Sequence, residues 1–369
     1  MSLNPFRAKS KLGIDIGTSS IKIAELEKDG GRFTLLNYGI FELKNVRTDS
    51  TAENQMARDR GILKLPDEEI VWGIQEIIKK ADMKSRDAVA SIPAVSTFGT
   101  VIEMPYLSGE DLAKAIAFEA KKYIPIPIKD VVLDWSIIEV LNPGQITAGK
   151  DRIVKEQKPS TVEIFLAAVS REETQKYLNI MKSAGLTLRA LELENAALIR
   201  GLIGNDLSPI AIVNIGGRST SITIVNKGYE RISHNYEIGG FEITKSIARS
   251  LSISLEKADE LKMKFGMKEG DENVINESVA SLIDMMAFET RKTLTNYEEA
   301  KNLTLSKVLL VGGVANIPYF LEYFKSKLGR DIVAGNPFSR VVYPQELSAV
   351  LPSIGNTLSV AIGLAMREI

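Results

Sequence analysis

The chain of 369 residues contains no cysteine. That excludes disulfides, a thiolate nucleophile, zinc knuckles and iron–sulfur clusters, and it suits a reducing compartment. Histidine is nearly absent too. With His234 alone, no His-based metal site can form, and any Ser-His-Asp triad would rest on that single residue. His234 lies in the alternating run Glu230 to Tyr236, where a strand leaves it solvated or satisfied. No stretch reaches the roughly 18 to 20 consecutive apolar residues that span a bilayer. The basic segment from Met1 to Lys11 precedes no apolar h-region, so a secretory signal is not expected. Net charge is small: 46 Lys plus Arg stand against 47 Asp plus Glu, a balance of −1. Such a chain has no overall field for nucleic acid or anionic lipid. It reads as cytoplasmic, with no nucleic-acid partner and no direct membrane insertion.

At about 150 residues per compact unit, the length predicts two or three domains. Two segments half a chain apart share one spacing. The first runs from Leu12 through Asp15, Gly17, Thr18, Ser19 and Ser20 to Lys22 and Ala24; the second runs from Ala211 through Asn214, Gly216, Gly217, Ser219 and Thr220 to Ile224. Each is an apolar β-type run, a polar residue, one apolar residue, a glycine-led turn rich in Ser and Thr, then a second alternating run. Each predicts a β-hairpin with a polar, glycine-permitted turn, and the pair predicts a duplicated domain with its halves facing each other. A third glycine site differs in form. The run Lys307 to Val311 predicts a buried strand, Gly312 and Gly313 turn the chain, and Asn316 to Leu321 is expected to open a helix.

Between the hairpins, strand-like runs at Ala88 to Ile92, Thr97 to Met104, Val131 to Val140 and Thr161 to Val169 surround a helical pattern from Gly109 to Tyr123. Ser108 with Asp111 reads as its capping box, and Pro125 and Pro127 end it. Residues 85–185 are read as an inserted α+β subdomain. Asn142 to Ser160, with little apolar content, reads as a loop within it.

A turn of Gly, Ser and Thr between strands presents several N–H and O–H donors with little bulk, which suits phosphate oxygens. Asp15 repels a phosphate but can hold Mg²⁺ or its water shell beside one. Lys22 can return to a β- or γ-phosphate as a point charge. No Gly-x-x-x-x-Gly-Lys-Ser/Thr loop is present, and no Gly-x-Gly-x-x-Gly follows a strand, so P-loop ATPase and dinucleotide dehydrogenase readings fall away.

The order of these motifs resembles the actin, chaperone and sugar-kinase superfamily. More narrowly, the chain resembles the type IV pilus assembly protein PilM family, relatives of the cell-division protein FtsA. The residues that carry this likeness are Asn4 to Phe6 before the first turn, Phe118 to Pro127, Ile238 to Thr244, Ala258 to Lys262, and the glycine site at 312 and 313. The resemblance implies an α/β fold with duplicated actin-like (ribonuclease H-like) nucleotide-binding domains around a cleft. Residues 1–84 with 186–209 would form the first actin-like subdomain, 85–185 a partner-docking insert, and 210–369 the second actin-like domain with an adenosine-side helical subdomain.

It also implies ATP and Mg as cofactors. Asp15, Gly17, Thr18, Ser19, Ser20 and Lys22 match the first phosphate motif, with Asp15 holding Mg through water. Asn214, Gly216, Gly217, Ser219 and Thr220 match the second. Gly239 and Gly240 belong to the same set, Gly312, Gly313 and Asn316 match the adenosine motif, and Glu289 with Lys292 match the pair placed against adenosine. Glu194 stands where the family's connecting helix orients an attacking water, and the alternative reading is a residue at a helix start.

One position departs from the pattern: an Asp is usual where this chain has Asn214. A unit charge pair at ~5 Å and an effective dielectric of ~20 is worth roughly 3 kcal/mol, so Mg²⁺ handling should weaken. ATP is therefore expected to be structural or state-setting, with slow hydrolysis at most. The family implies an adaptor on the cytoplasmic N-terminal tail of a bitopic inner-membrane protein like PilN, peripheral to the inner membrane through that partner. Other pilus platform or motor proteins are further candidates. The alternatives are an FtsA-like cell-division or filament protein and a small-molecule kinase of the same superfold. Since the sequence ends within a core-type helical pattern, an FtsA-like membrane helix is not expected.

Overall fold

The computed structural model describes residues 10–43, 66–107, 109–141, 161–268 and 273–368. Asn4 to Phe6, the expected cap Ser108 and the expected loop Asn142 to Ser160 lie outside the described residues.

Two sheets share one plan. In the first, β1 (Lys11–Ile16), β2 (Ser20–Asp29) and β3 (Arg32–Glu42) form an antiparallel meander; β4 (Asp87–Ile92) and β8 (Thr187–Leu193) continue the sheet in parallel beyond β1. In the second, β9 (Ile210–Ile215), β10 (Thr220–Asn226) and β11 (Tyr229–Tyr236) repeat the meander, and β12 (Lys307–Val311) and β13 (Val333–Ala334) repeat the parallel continuation. Strands β1 and β9 hold the centres. They read as near-continuous apolar runs because helices cover both of their faces.

On the first sheet, α1 (Asp67–Lys80) and α3 (Arg171–Ser183) bury Ile70, Ile74, Ile77, Tyr177, Ile180 and Met181 against Leu12, Ile14, Ile21 and Ile23. On the second, α5 (Gly240–Leu251), α6 (Leu255–Phe265), α7 (Asn273–Lys301) and α8 (Phe320–Leu328) pack over Val213, Ile222 and Ile224. Two further helices, α4 (Glu194–Leu202) and α9 (Leu351–Ala365), join the halves: Ala197, Leu198, Val360 and Leu364 share one core with Ile210, Ile212 and Val311.

The chain then returns to its starting sheet. Although the sequence grouped 210–369 together, β14 (Val341–Val342) pairs in parallel with β3, and α9 packs Leu358, Ala361, Ile362 and Ala365 against Ala24 and Leu26 of β2. Apolar periodicity shows that α9 is buried, but it does not name the sheet that buries it.

The inserted segment forms a third, antiparallel sheet of β5 (Thr97–Pro105), β7 (Thr161–Ser170) and β6 (Val131–Leu141), in the order β5-β7-β6. Helix α2 (Gly109–Glu119) covers one face with Leu112 and Ile116 over Ile102, Val162, Ile164 and Leu166. The helix is shorter than its pattern predicts, because the chain tightens into a 3₁₀ turn at Ala120–Lys122 before the prolines. The insert is tied to the second sheet by charge. Arg231, on β11, pairs with Glu163 and, at 3.3 Å, with Glu139; Lys227 reaches Glu139 at 2.5 Å. Beside this network, β5 and β11 border a cavity of about 150 Å³ lined by Gly99, Phe165, Glu230 and Ser233.

Helix α9 lies on β1 and α4 at backbone contact. A Cβ at Gly13 would stand 1.9 Å from the Ala361 carbonyl oxygen, and one at Gly363 would stand 1.9 Å from that of Ala197. Neither neighbour is a side chain that can swing away. Gly13→Ala is therefore expected to cost at least ~3 kcal/mol, because a rigid helix must lift off the central strand. Gly313→Ala is the control: an added Cβ there meets nothing within 4 Å, so stability should stay within ~0.5 kcal/mol of wild type. Urea unfolding of both variants checks the contrast, and equal midpoints would remove the backbone contact from the account.

Candidate functional site

The two meanders turn toward each other. In the first, Asp15 and Lys22 are direct cross-strand partners, and the turn closes with the Gly17 N–H donating to the Ser20 carbonyl at 3.1 Å. In the second, Asn214 and Ser221 occupy the matching positions, and the Gly216 N–H donates to the Ser219 carbonyl at 2.9 Å. The spacing seen in the sequence thus becomes the same closure geometry twice. Among the described residues, no hydrogen bond engages the backbone N–H of Thr18, Ser19, Gly217 or Ser219. Unengaged amides on turns are what an anion accepts from.

The turns touch. A Cβ at Gly217 would stand 2.7 Å from Ser19 Oγ and 3.0 Å from Thr18 Oγ1, so glycine lets the turns meet without displacing those side chains. Behind the second turn, the N–H groups of Gly240 and Phe241 donate to the carbonyls of Gly216 and Gly217 at 3.0 and 2.7 Å. Glu242 Oε2 accepts from the Gly239 N–H at 3.1 Å, and Thr220 Oγ1 donates to the Ile238 carbonyl at 2.7 Å. Helix α5 is therefore fastened to the turn at its first residues. The third glycine site closes on the same place: Gly312 has φ +93°, where glycine is favoured, and a Cβ there would stand 2.6 Å from Asn214 Oδ1.

Charge around the turns is arranged in pairs. Lys22 Nζ lies 3.0 Å from Asp15 Oδ2 and directly over Gly17. Glu194, the first residue of α4, accepts from Asn214 Nδ2 at 2.7 Å and from the Ala94 N–H at 3.2 Å. Burial pushes the Glu194 carboxyl up to about 7, and the nearby Asp15 charge adds to the rise. Asn214 in place of an acid thus has a local reason. An aspartate would set a second carboxylate against Glu194, whereas the amide gives it a hydrogen bond.

A polyphosphate fits this cradle: three glycines stand where side chains would obstruct, turn amides are unengaged among the described residues, and Lys22 overlies Gly17. A divalent metal fits only as an ion held chiefly by the phosphates, with Asp15 as its protein carboxylate. Position 214 supplies an amide, both Glu194 oxygens are engaged, and the described residues hold no group of three or more His, Cys, Asp or Glu placed for a metal.

Other sequence-predicted residues lie elsewhere or differ in form. Asn316 does not open a helix; it ends a 3₁₀ turn at Gly313–Asn316, and α8 begins only at Phe320 after Tyr319 takes a left-handed φ of 61°. Its amide donates to Thr357 Oγ1 at 2.8 Å, fastening this turn to α9. Glu289 faces His234 Nε2 at 3.5 Å, and Lys292 is exposed; no described hydrogen bond joins either to the glycine turns. A second acid–lysine pair of the same spacing reaches the start of α5, which is fastened to the second turn. Lys262 Nζ lies 2.5 Å from Asp259 Oδ1, 2.7 Å from Thr244 Oγ1 and 3.4 Å from the Gly240 carbonyl. The signal was in Ala258 to Lys262, where acid and lysine sit three residues apart beside a glycine pair's helix.

The amide at 214 can be tested through pH. In Asn214→Asp, the facing carboxylates raise the folded-state pKa of the pair above the ordinary unfolded value. Stability present at low pH is then lost as pH climbs through that window. Relative to wild type, the variant should be nearly neutral at pH ~5 and destabilised by on the order of 2 kcal/mol at pH ~8. Chemical unfolding at both pH values decides it, and a pH-independent difference would mean that residues 194 and 214 do not face each other.

The comparisons with known proteins agree with this architecture. The "PilM-PilN type IV pilus biogenesis complex" contains a chain that superposes with a TM-score of 0.77 at 23% identity, covering 98% of each chain. The ethanolamine utilization protein EutJ of Carboxydothermus hydrogenoformans gives a TM-score of 0.54 at 18% identity, covering 99% of this chain and 92% of that one. Cell division protein FtsA of Enterococcus faecalis is 20% identical over 95% of this chain and 82% of its own length. The fold is actin-like. Because the family model for type IV pilus assembly protein PilM matches residues 13–369, the chain belongs to the PilM family of actin-like pilus assembly proteins.

Proposed function

We propose that this protein is a nucleotide-binding adaptor of the inner-membrane platform of a type IV pilus, docking on the cytoplasmic N-terminal tail of a PilN-like membrane protein. The observation that carries the nucleotide half is the contact of two identically closed glycine turns, with unengaged amides and Lys22 beside them. Thr18, Ser19, Gly217 and Ser219 would donate to phosphate oxygens, and Lys22 would leave Asp15 for a terminal phosphate. Asp15 would then face a Mg²⁺ carried in with the triphosphate, which lowers the phosphate charge when bound. Lys262 beside Gly240 extends the same line of donors toward a nucleoside.

Glu194 can orient a water, but both of its oxygens accept hydrogen bonds from Asn214 and Ala94. A proton acceptor so engaged abstracts slowly, so ATP acts here as a ligand that sets the closure of the lobes. The partner half rests on the likeness to the chain of the PilM–PilN complex. Among the described residues no helix is long and apolar enough to cross a membrane, so a peripheral place at the inner membrane would come through that partner.

Calorimetric titration tests both halves. A synthetic peptide of the partner's cytoplasmic tail should bind, and its affinity should rise by ~3-fold or more, at least ~0.6 kcal/mol, when Mg-ATP is present. Absence of peptide binding in either state would end the adaptor reading. Absence of heat from ATP at millimolar concentration would end the nucleotide reading.

A further inference from the structure

The cavity between β5 of the insert and β11 is built around one carboxyl group, that of Glu230. Glu230 is only 7% exposed, and its described hydrogen bond is a long one, from Asn195 Nδ2 to Oε1 at 3.3 Å. Among the described residues, no hydrogen bond reaches its Oε2. The neighbouring Arg231 does not compensate it, because that guanidinium pairs with Glu163 on β7 and Glu139 on β6. Burial accordingly pushes the Glu230 carboxyl up to about 7, opposed by the Asn195 amide alone. Ser233, on the same wall, already accepts at Oγ from Asn195 at 3.0 Å and from Asn235 at 3.1 Å. A buried carboxyl with one oxygen left without a donor, lining a cavity of about 150 Å³, calls for a donor that the fold does not supply.

The insert's wall of the cavity selects the kind of donor. Gly99 on β5 lies between Phe165 and the carboxyl: a Cβ there would stand 3.4 Å from Phe165 Cζ and 3.7 Å from Glu230 Oε1. The ring edge and the carboxyl oxygen therefore border the same room, which glycine leaves open. Val101 and Ile232 add apolar surface. A primary ammonium with a short alkyl stub satisfies both walls, its N–H groups on the carboxylate and its carbons against the ring. A divalent metal does not, since one carboxylate beside an aromatic edge is a poor oxygen shell, and the described residues hold no group of three His, Cys, Asp or Glu placed for a metal. An engineered cavity of about this size holds benzene, which bounds the ligand at about six non-hydrogen atoms. We propose that the cavity between β5 and β11 is a binding site for a small primary alkylammonium ion, held by Glu230 and Phe165, which bridges the insert and the second sheet. Glu230 pairs with Val225, at the far end of β10 from the glycine turn, so the site does not rest on the nucleotide reading.

The test is calorimetric titration of the full chain with propylammonium chloride at pH ~8, where a carboxyl of this kind is mostly ionised. Sodium chloride at equal ionic strength and 1-propanol, the uncharged isostere, are the controls. Propylammonium should bind saturably at millimolar concentration, and 1-propanol at least ~10-fold more weakly. Glu230→Gln keeps the shape and removes the charge, and it should weaken propylammonium binding by ~10-fold or more. Gly99→Ala leaves the carboxyl in place and fills the room beside it with a Cβ at ordinary contact distances, so affinity should fall by ~3-fold or more in a chain that still folds. Thermal unfolding without ligand checks the fold of each variant, and Gly99→Ala carries the test alone should Glu230→Gln not fold. No saturable binding by the wild type, equal binding of 1-propanol, or wild-type affinity in either folded variant overturns the proposal.

Discussion

The geometry of the cleft depends on one packing constraint: α9 rests on β1 and α4 with no side chain between. Glycines at 13 and 363 bring its backbone to contact on both sides. Arg200 reinforces the seam, bridging the Gly363 carbonyl at 2.7 Å and Glu192 through both guanidinium ends at 2.7 and 2.8 Å. Because β1 ends in the first glycine turn and α4 begins with Glu194, fixing α9 fixes both. Close-packed interiors do not deform gradually, so a helix seated this way sets the reference from which the second turn is positioned.

The electrostatics follow from that placement. Glu194 reaches across the cleft only because α4 starts at the end of β8, the parallel neighbour of β4. Once it arrives beside Asp15, a third carboxylate at 214 would be costly in a site already crowded with like charge. The amide resolves the conflict with a hydrogen bond that also links the two halves of the molecule.

Much of this was legible in the sequence, and the reasons differ by feature. The hairpins were legible because their apolar runs, glycine-led turns and spacing are local, and duplication already implies that like elements face each other. The insert's strands were legible from period-two patterning between turn residues. The Glu194–Asn214 bond was not, since it joins the first residue of α4 to the end of β9 and depends on how α4 is seated. The start of α8 was misjudged because Tyr319 takes a left-handed conformation that its residue type disfavours. Two acid–lysine pairs of equal spacing, 259 with 262 and 289 with 292, look alike in sequence. Only the packing of α6 against α5 brings Lys262 to Gly240. The return of β14 to β3 was hidden because a two-residue strand carries almost no pattern.

The same second turn is joined to the insert by a single strand. Near its start β11 carries Arg231 among the acids of β6 and β7, and it leads through Tyr236 to the Gly239 that closes on Gly216. Arg231 is only 8% exposed and shares two carboxylates, so separating it from them would leave buried charge unpaired. Midway, Asn195 on α4 donates to Glu230 at 3.3 Å and to Ser233 at 3.0 Å. Burial pushes Glu230 up to about 7. Of these links, the buried charges resist separation most, while the polar contacts of Asn195 can be exchanged at less cost. A displacement of the second turn is therefore carried along β11 to the insert more readily than it is absorbed within the strand.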